Sequence, residues 1–189
     1  HLGATRPLER SYLKTRIVTM VRKRALWLLL LFGAAILTTS IMAFYEDQLE
    51  SLAVLAVFIP LLIGTGGNSG AQTTTTIIRA MATGEIEFRD LIRVWLQEMR
   101  VGLLLGLTMA ALALMLAVIM FGKTMLALTV SIAIFFIILT ANCVGALLPL
   151  LAQRLSLDPT LLSAPLISTT VDAVGLIIYF SFARVILGV

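Results

Sequence analysis

The charges in this sequence leave gaps too long for a water-soluble fold. No Asp, Glu, Lys or Arg occurs from Ala25 to Tyr45, from Ser51 to Ile78, from Val101 to Gly122 or from Thr124 to Ala152, and Asp172 alone interrupts the run from Leu161 to Ala183. A hydrocarbon core about 30 Å thick is crossed by roughly 20 apolar residues of helix, so each run is long enough to span it. Open sheets cannot satisfy their backbone in lipid, and the runs lack the alternation of a membrane barrel. Composition agrees: 60% of the 189 residues are hydrophobic and only 13% charged, where a soluble domain carries about a quarter. The fold class is therefore an all-α integral membrane protein. Its five transmembrane helices are expected over about 25–45, 51–78, 101–122, 124–152 and 161–187.

Lys and Arg concentrate on the cytoplasmic side of a membrane protein. With five spans, every one of the 14 basic residues except Lys123 and Arg184 falls on one side. This places the N-terminus in the cytoplasm and the C-terminus outside, in a multi-pass protein of the cell (inner or plasma) membrane. The net charge of +4 is accounted for by this topology and by anionic headgroups, and gives no reason to invoke nucleic acid. The outer loop "YEDQLES" carries Glu46, Asp47 and Glu50; it reads either as a solvated turn or as an acidic mouth that concentrates cations. Cys143 is alone, inside the fourth run, so no disulfide framework exists.

Two amphipathic stretches are expected to lie on the cytoplasmic surface. In "EIEFRDLIRVWLQEMR", Phe88, Leu91, Ile92, Trp95 and Met99 oppose Asp90, Arg93, Gln97 and Arg100, which reads as an interfacial helix over about 85–99. In "LERSYLKTRIVTMVRKR", Leu13, Ile17, Met20 and Val21 oppose Arg10, Lys14 and Arg24. Residues 1–24 are thus read as a basic cytoplasmic helix and residues 25–189 as a five-helix transmembrane domain.

Against this apolar background two features stand out. Ionisable residues within membrane spans are rare, costly and usually functional. Asp172, in "APLISTTVDAVGLIIYF", lies about 12 residues into the fifth run, roughly 18 Å deep at 1.5 Å per residue. Asn68, in "GTGGNSGAQTTTT", lies 11 residues before Arg79, about 16 Å from the same surface. The two polar centres therefore share a depth on antiparallel helices. Ser168, Asp172, Gly175 and Tyr179 recur at helical spacing on the fifth run, with Thr169 beside them, and Pro60, Gly64, Asn68, Gln72 and Thr75 do so on the second. These faces read as the walls of a hydrophilic path, with Gly67, Gln72, Thr73, Thr169 and Gly175 among the lining residues. Plainer roles stand beside that reading. Gly66-x-x-x-Gly70 and Gly102-x-x-x-Gly106 are small-residue packing motifs, and packing suffices for the second pair. Thr73 to Thr76 could bond their own helix backbone, and Asn142 reads as a bond between helices.

The donors on these walls are oxygens, with no thiolate or imidazole. That set suits hard divalent cations such as Mg²⁺, Ca²⁺ or Mn²⁺. Five helices are too few to enclose a comfortable pore. A two-fold homodimer would set two Asp172 carboxylates across the axis, matching a doubly charged cation.

"PLLIGTGGNSGAQTTTTIIRAMATGEI" resembles the second transmembrane helix of the MgtE family of Mg²⁺ channels and transporters. "ANCVGALLPLLAQRLSLDPTLLSAPLISTTVDAVGLIIYF" resembles its fourth and fifth. The resemblance implies a homodimeric pore between subunits that passes hydrated Mg²⁺, with Mn²⁺, Co²⁺ and Ca²⁺ as further candidates, along a path lined by the second and fifth helices. It implies that Asp172 is the ion-selecting carboxylate, helped by Gly64, Asn68 and Ser168. It also implies cytoplasmic N-terminal and CBS domains that sense Mg²⁺, joined to the pore by a helix matching Leu8 to Arg24. Some relatives carry Asn where this chain has Ala164, which bears on a second ion position near the cytoplasmic end.

The alternative function is a secondary transporter, coupled to Na⁺ or H⁺, for a divalent cation or other small solute. No inverted repeat supports it, and Asp172 argues against an anionic substrate. An intramembrane hydrolase would need a second carboxylate, a base or histidine ligands, so the chain is not read as an enzyme.

Overall fold

The structure, a computed structural model, describes residues 16–155 and 164–188. Most of the basic stretch 1–24 and the Asp158-Pro159 pair lie outside the described residues. Among the described residues six α-helices follow one another: α1 (Ile17–Phe44), α2 (Glu46–Ser51), α3 (Val54–Ala82), α4 (Leu91–Phe121), α5 (Thr124–Arg154) and α6 (Ala164–Leu187). Among the described residues there is no strand. All but the short α2 are long and apolar enough to cross a bilayer. The chain is an all-α membrane protein with five candidate spans.

The helices outrun the uncharged gaps because a charge does not stop a helix; caps and breakers do. The last basic residues of the 1–24 stretch belong to α1 itself, which starts at Ile17. The amphipathic stretch expected as a separate helix over 85–99 opens with a 3₁₀ turn at Phe88–Asp90 and then runs without a break into the third span. A reciprocal capping box starts it: the Glu87 N–H donates to Asp90 Oδ2 at 3.0 Å while the Glu87 side chain accepts from the Asp90 backbone. Nothing between Leu91 and Phe121 breaks the helix. It ends at Gly122, whose φ of 63° is the left-handed cap that glycine supplies without strain. At 34 residues with its 3₁₀ turn this helix is about 51 Å long, so its first third projects beyond a ~30 Å hydrocarbon core. The "YEDQLES" loop, read either as a turn or as an acidic mouth, holds the short helix α2.

α5 is the hub. It packs against α3, α4 and α6, and α3 also packs against α6. Its buried residues Val130, Ala133, Ile134, Ile137, Ile138 and Ala141 lie in one core with Leu55, Phe58 and Leu62 of α3 and Val171, Leu176 and Phe180 of α6. Backbones approach closely where glycine allows. A β-carbon on Gly145 of α5 would stand 2.7 Å from the Gly70 carbonyl oxygen of α3. Gly66 and Gly70 turn to Ile137, Ile167 and Val171, and Gly102 and Gly106 turn to Asn142 and Phe135. Both small-residue pairs therefore serve helix contact. Toward its C-terminal end α1 packs on the core through Ile41, Met42 and the following Tyr45, which stacks on Phe180 at 4.7 Å.

Candidate functional site

α3 is continuous through its glycine-rich segment, and its 100° steps divide that segment between two environments. Gly66, Gly67, Gly70, Thr73, Thr74 and Ile77 are buried against the rest of the bundle. Gly64, Asn68, Gln72, Thr75 and Thr76 are exposed. A β-carbon on Gly64 would meet nothing within 4 Å. One flank of a membrane-depth helix thus offers an amide pair and bare backbone that no other part of the described chain covers.

Asp172 of α6 stands at the edge between these two sides. It is half-buried, and a β-carbon on Gly67 would lie 3.2 Å from its Oδ1 and collide with Ser168 Oγ. Gly67 is the slot that admits both side chains against α3. Because Gly67 precedes Asn68, Asn68 and Asp172 share a level in the bundle. Among the described residues Asp172 is in no ion pair; the single bridge is Arg89 to Glu87 at 3.3 Å on the surface. The carboxylate is therefore held inside a span without a compensating cation, a placement that is expensive unless it faces water or an ion.

Other expected wall residues lie elsewhere. Gly175 is buried, with Ile137 atoms 3.6 Å from where its β-carbon would be. Tyr179 is fully buried, and its hydroxyl donates to the Leu55 carbonyl of α3 at 3.1 Å. In the isolated chain both are packing positions: Gly175 meets Ile137 of α5, and Tyr179 bonds α3 within the core. Thr169 is half-buried and its hydroxyl donates to the Pro165 carbonyl at 2.9 Å. Of Ala164 only the backbone is described, so the second ion position lies outside the described side chains.

The threonine run splits the same way. Thr75 and Thr76 donate back to Ala71 and Gln72 of their own helix, at 2.8 and 2.9 Å. Thr74 instead donates to the Gly145 carbonyl at 3.0 Å. Thr73, expected on the path, is buried in a polar cluster behind it. Its hydroxyl is 3.1 Å from Asn142 Oδ1 and 3.3 Å from Glu98 Oε2, and Ser69 donates to the same Asn142 oxygen at 2.7 Å. Asn142 thus bonds two helices together from a fully buried position.

Glu98 is the residue that sequence reasoning missed. The buried side of α4 runs through Leu91, Val94, Trp95, Glu98 and Gly102, whereas Ile92, assigned to the apolar face, is exposed. At 100° per residue Glu98 falls about 140° from Arg93 and close to Leu91. A carboxylate outside the polar arc of an amphipathic helix was the available signal.

Chemically, Asp172, Ser168 and Asn68 present oxygens, with one carboxylate per chain. Among the described residues no three His, Cys, Asp or Glu side chains gather as a metal cluster. Such a set suits a cation that keeps much of its water, held by charge and by hydrogen bonds to that water.

Comparison with known proteins places these residues in context. Residues 59–182 match the family model described as "MgtE: Divalent cation transporter". The "Magnesium transporter MgtE" of Thermus thermophilus is 44% identical over 186 residues, covering 98% of this chain and 41% of that protein. Proteins of the same description from Bacillus subtilis and Enterococcus faecalis are 29% and 33% identical, over 89% and 85% of this chain and 38% and 36% of their own lengths. The chain thus spans about two fifths of the length of these relatives.

Proposed function

The chain belongs to the MgtE family of divalent cation transporters, and on that premise we propose that it forms a Mg²⁺-selective pore in which Asp172 is the ion-selecting carboxylate. The family is one of transporters, not of enzymes. The observation that carries the finer reading is the unpaired Asp172 carboxylate beside Gly67 and Ser168, at the border of the exposed flank of α3. Gly64, Asn68 and Ser168 complete the oxygen-rich surround, and Gly67, Gln72 and Thr169 border the path. Thr73 and Gly175 are left out of the lining, because both are buried in helix contacts.

The transported ion is Mg²⁺, with Mn²⁺, Co²⁺ and Ca²⁺ as competitors. A hydrated divalent ion needs more than one carboxylate's worth of charge, and the exposed amides of α3 need a cover other than lipid. A second copy related by a two-fold axis supplies both, so the homodimer is part of the proposal. So is the orientation in the cell membrane, with the N-terminus cytoplasmic and the C-terminus outside. The additional length of the relatives leaves room for the cytoplasmic N-terminal and CBS domains that the sequence resemblance implies.

The test is Mg²⁺ flux into proteoliposomes by the wild type and by Asp172→Ala, with and without Na⁺ and H⁺ gradients. Flux that is independent of both gradients and lost in Asp172→Ala, with oligomeric state retained, supports the pore. Flux that collapses with a Na⁺ or H⁺ gradient turns the mechanism to coupled transport. Unchanged flux in Asp172→Ala removes the site.

A further inference from the structure

Behind the exposed flank of α3, three helices meet in a polar cluster that the transport reading does not use. Ser69 and Thr73, one turn apart on α3, both reach the Asn142 amide of α5, and Thr73 also reaches the Glu98 carboxylate of α4. Thr73 and Asn142 are buried, Asn142 completely. Among the described residues Glu98 is in no ion pair.

The donors settle how this cluster is wired. Thr73 has one hydroxyl proton and two acceptors within reach, while Asn142 Nδ2, buried beside Gly102, has no acceptor at all. An amide is nearly symmetric in outline. Turned end for end, Asn142 donates from Nδ2 to Ser69 Oγ and Thr73 Oγ1, and the Thr73 hydroxyl is free to donate to Glu98 Oε2. The donors of Asn142 and Thr73 are then all used, while the Ser69 hydroxyl gives up its Asn142 acceptor, and the chain ends on a charged acceptor, which strengthens its last bond.

We propose that Glu98, through Thr73 and Asn142, is a positioning residue for the ion path, locking the rotation of α3 about its own axis so that Asn68 and Gly64 stay aligned with Asp172. The inference rests on the transport reading above. Apart from the Thr74 hydroxyl on the Gly145 carbonyl, near the end of the segment, and the approach of Ser168 and Asp172 to Gly67, the remaining contacts are apolar and small: Gly66 and Gly70 against Ile137, Ile167 and Val171. Such contacts fix distance but tolerate sliding, whereas hydrogen bonds fix direction. The Ser69/Thr73 side lies roughly a third of a turn around α3 from the Asn68/Gln72 flank, so a rotation there is transmitted directly. At a helix radius of about 5–6 Å, a turn of about 10° moves a side chain by ~1 Å, enough to loosen a site that depends on its supporting shell.

The experiment compares Mg²⁺ and Ca²⁺ fluxes in proteoliposomes for the wild type, Thr73→Val, Glu98→Ala, the double variant, and the conservative Thr73→Ser and Glu98→Gln. The ratio of the two fluxes reports the site and does not depend on how much protein folds. A fall of about fivefold in the Mg²⁺ to Ca²⁺ ratio is expected for Thr73→Val and for Glu98→Ala, with the double variant no worse than either because both cut one chain. Thr73→Ser and Glu98→Gln, which keep a donor and an acceptor, should retain the wild-type ratio. If Thr73→Val and Glu98→Ala lower the yield of folded protein but leave the ratio unchanged, the cluster is structural and the proposal fails. Asp172→Ala, run alongside, separates the two readings. Divalent flux that depends on Asp172 but ignores Thr73 and Glu98 overturns the positioning role alone, and a wild type without divalent flux overturns both.

Discussion

Asp172 Oδ1 lies 3.2 Å from the point where a β-carbon on Gly67 would stand. That single approach joins the two polar features of the sequence, the lone carboxylate within a span and the glycine-rich segment of another. A side chain at position 67 would occupy the space that Ser168 and Asp172 now fill.

Gly67→Ala should therefore displace Ser168 and shift Asp172. Overpacking of this kind costs about 1–3 kcal/mol, and the thermal midpoint in detergent should fall accordingly. Ser168→Ala removes the atom that the new methyl group meets first, so the Gly67→Ala, Ser168→Ala pair should regain most of the lost stability. Equal midpoints for the single and double variants would show that Ser168 is not what fills the slot.

Gly145→Ala tests the closest backbone approach. The added methyl group would meet the Gly70 carbonyl oxygen at 2.7 Å and the Thr74 hydroxyl at 3.1 Å, and a carbonyl in a helix cannot rotate aside. A loss of about 1–3 kcal/mol is expected. Gly33→Ala, on the part of α1 where nothing lies within 4 Å, should instead gain up to ~1 kcal/mol from helix propensity. Thermal unfolding of the two variants should move in opposite directions.

Tyr179→Phe separates packing from lining. The hydroxyl is buried and bound to the Leu55 carbonyl, so its removal should cost about 1 kcal/mol of stability. The Mg²⁺ to Ca²⁺ flux ratio should stay at its wild-type value, because Tyr179 faces the core. A changed ratio would return Tyr179, and with it Gly175, to the path.

The division between legible and illegible residues follows from how a helix distributes its sides. The spans could be read because each needs only length and the absence of charge, and Asp172 could be read because a carboxylate in such a run has few bland explanations. Which of Gly64 to Thr76 face inward could not, since glycine, serine and threonine suit a packed interface as well as a wet one. Only the neighbours decide: Gly145 draws in Thr74, and Asn142 draws in Ser69 and Thr73. Asn142 itself was readable as a bond between helices, but not its partners. Glu98 was hidden because the polar and apolar arcs of α4 were drawn from the best-matching residues, and a carboxylate on the packed side fits neither. The continuity of α4 was hidden because a switch from amphipathic to wholly apolar sequence reads as a boundary, while the backbone meets no breaker there.

The exposed flank of α3 yields the most direct test of a wet path. In a Cys143→Ser background, which removes the native thiol, cysteine can be placed at Asn68, at Gln72 and at Leu104. All three positions are exposed in the isolated chain, so exposure alone predicts equal reactivity in detergent. In a bilayer the three should part. Leu104 lies on an exposed apolar side of α4, where lipid is expected to cover it and to keep out a charged, membrane-impermeant thiol reagent. Asn68 and Gln72 carry amides that lipid cannot satisfy, so water must reach them if they border the path. The reagent should modify Asn68→Cys and Gln72→Cys in sealed vesicles, and Mg²⁺ should slow the reaction at Asn68, which shares its level with Asp172. Labelling of Leu104→Cys as fast as Asn68→Cys, or no Mg²⁺ effect at Asn68, would place the water and the ion somewhere other than along this helix.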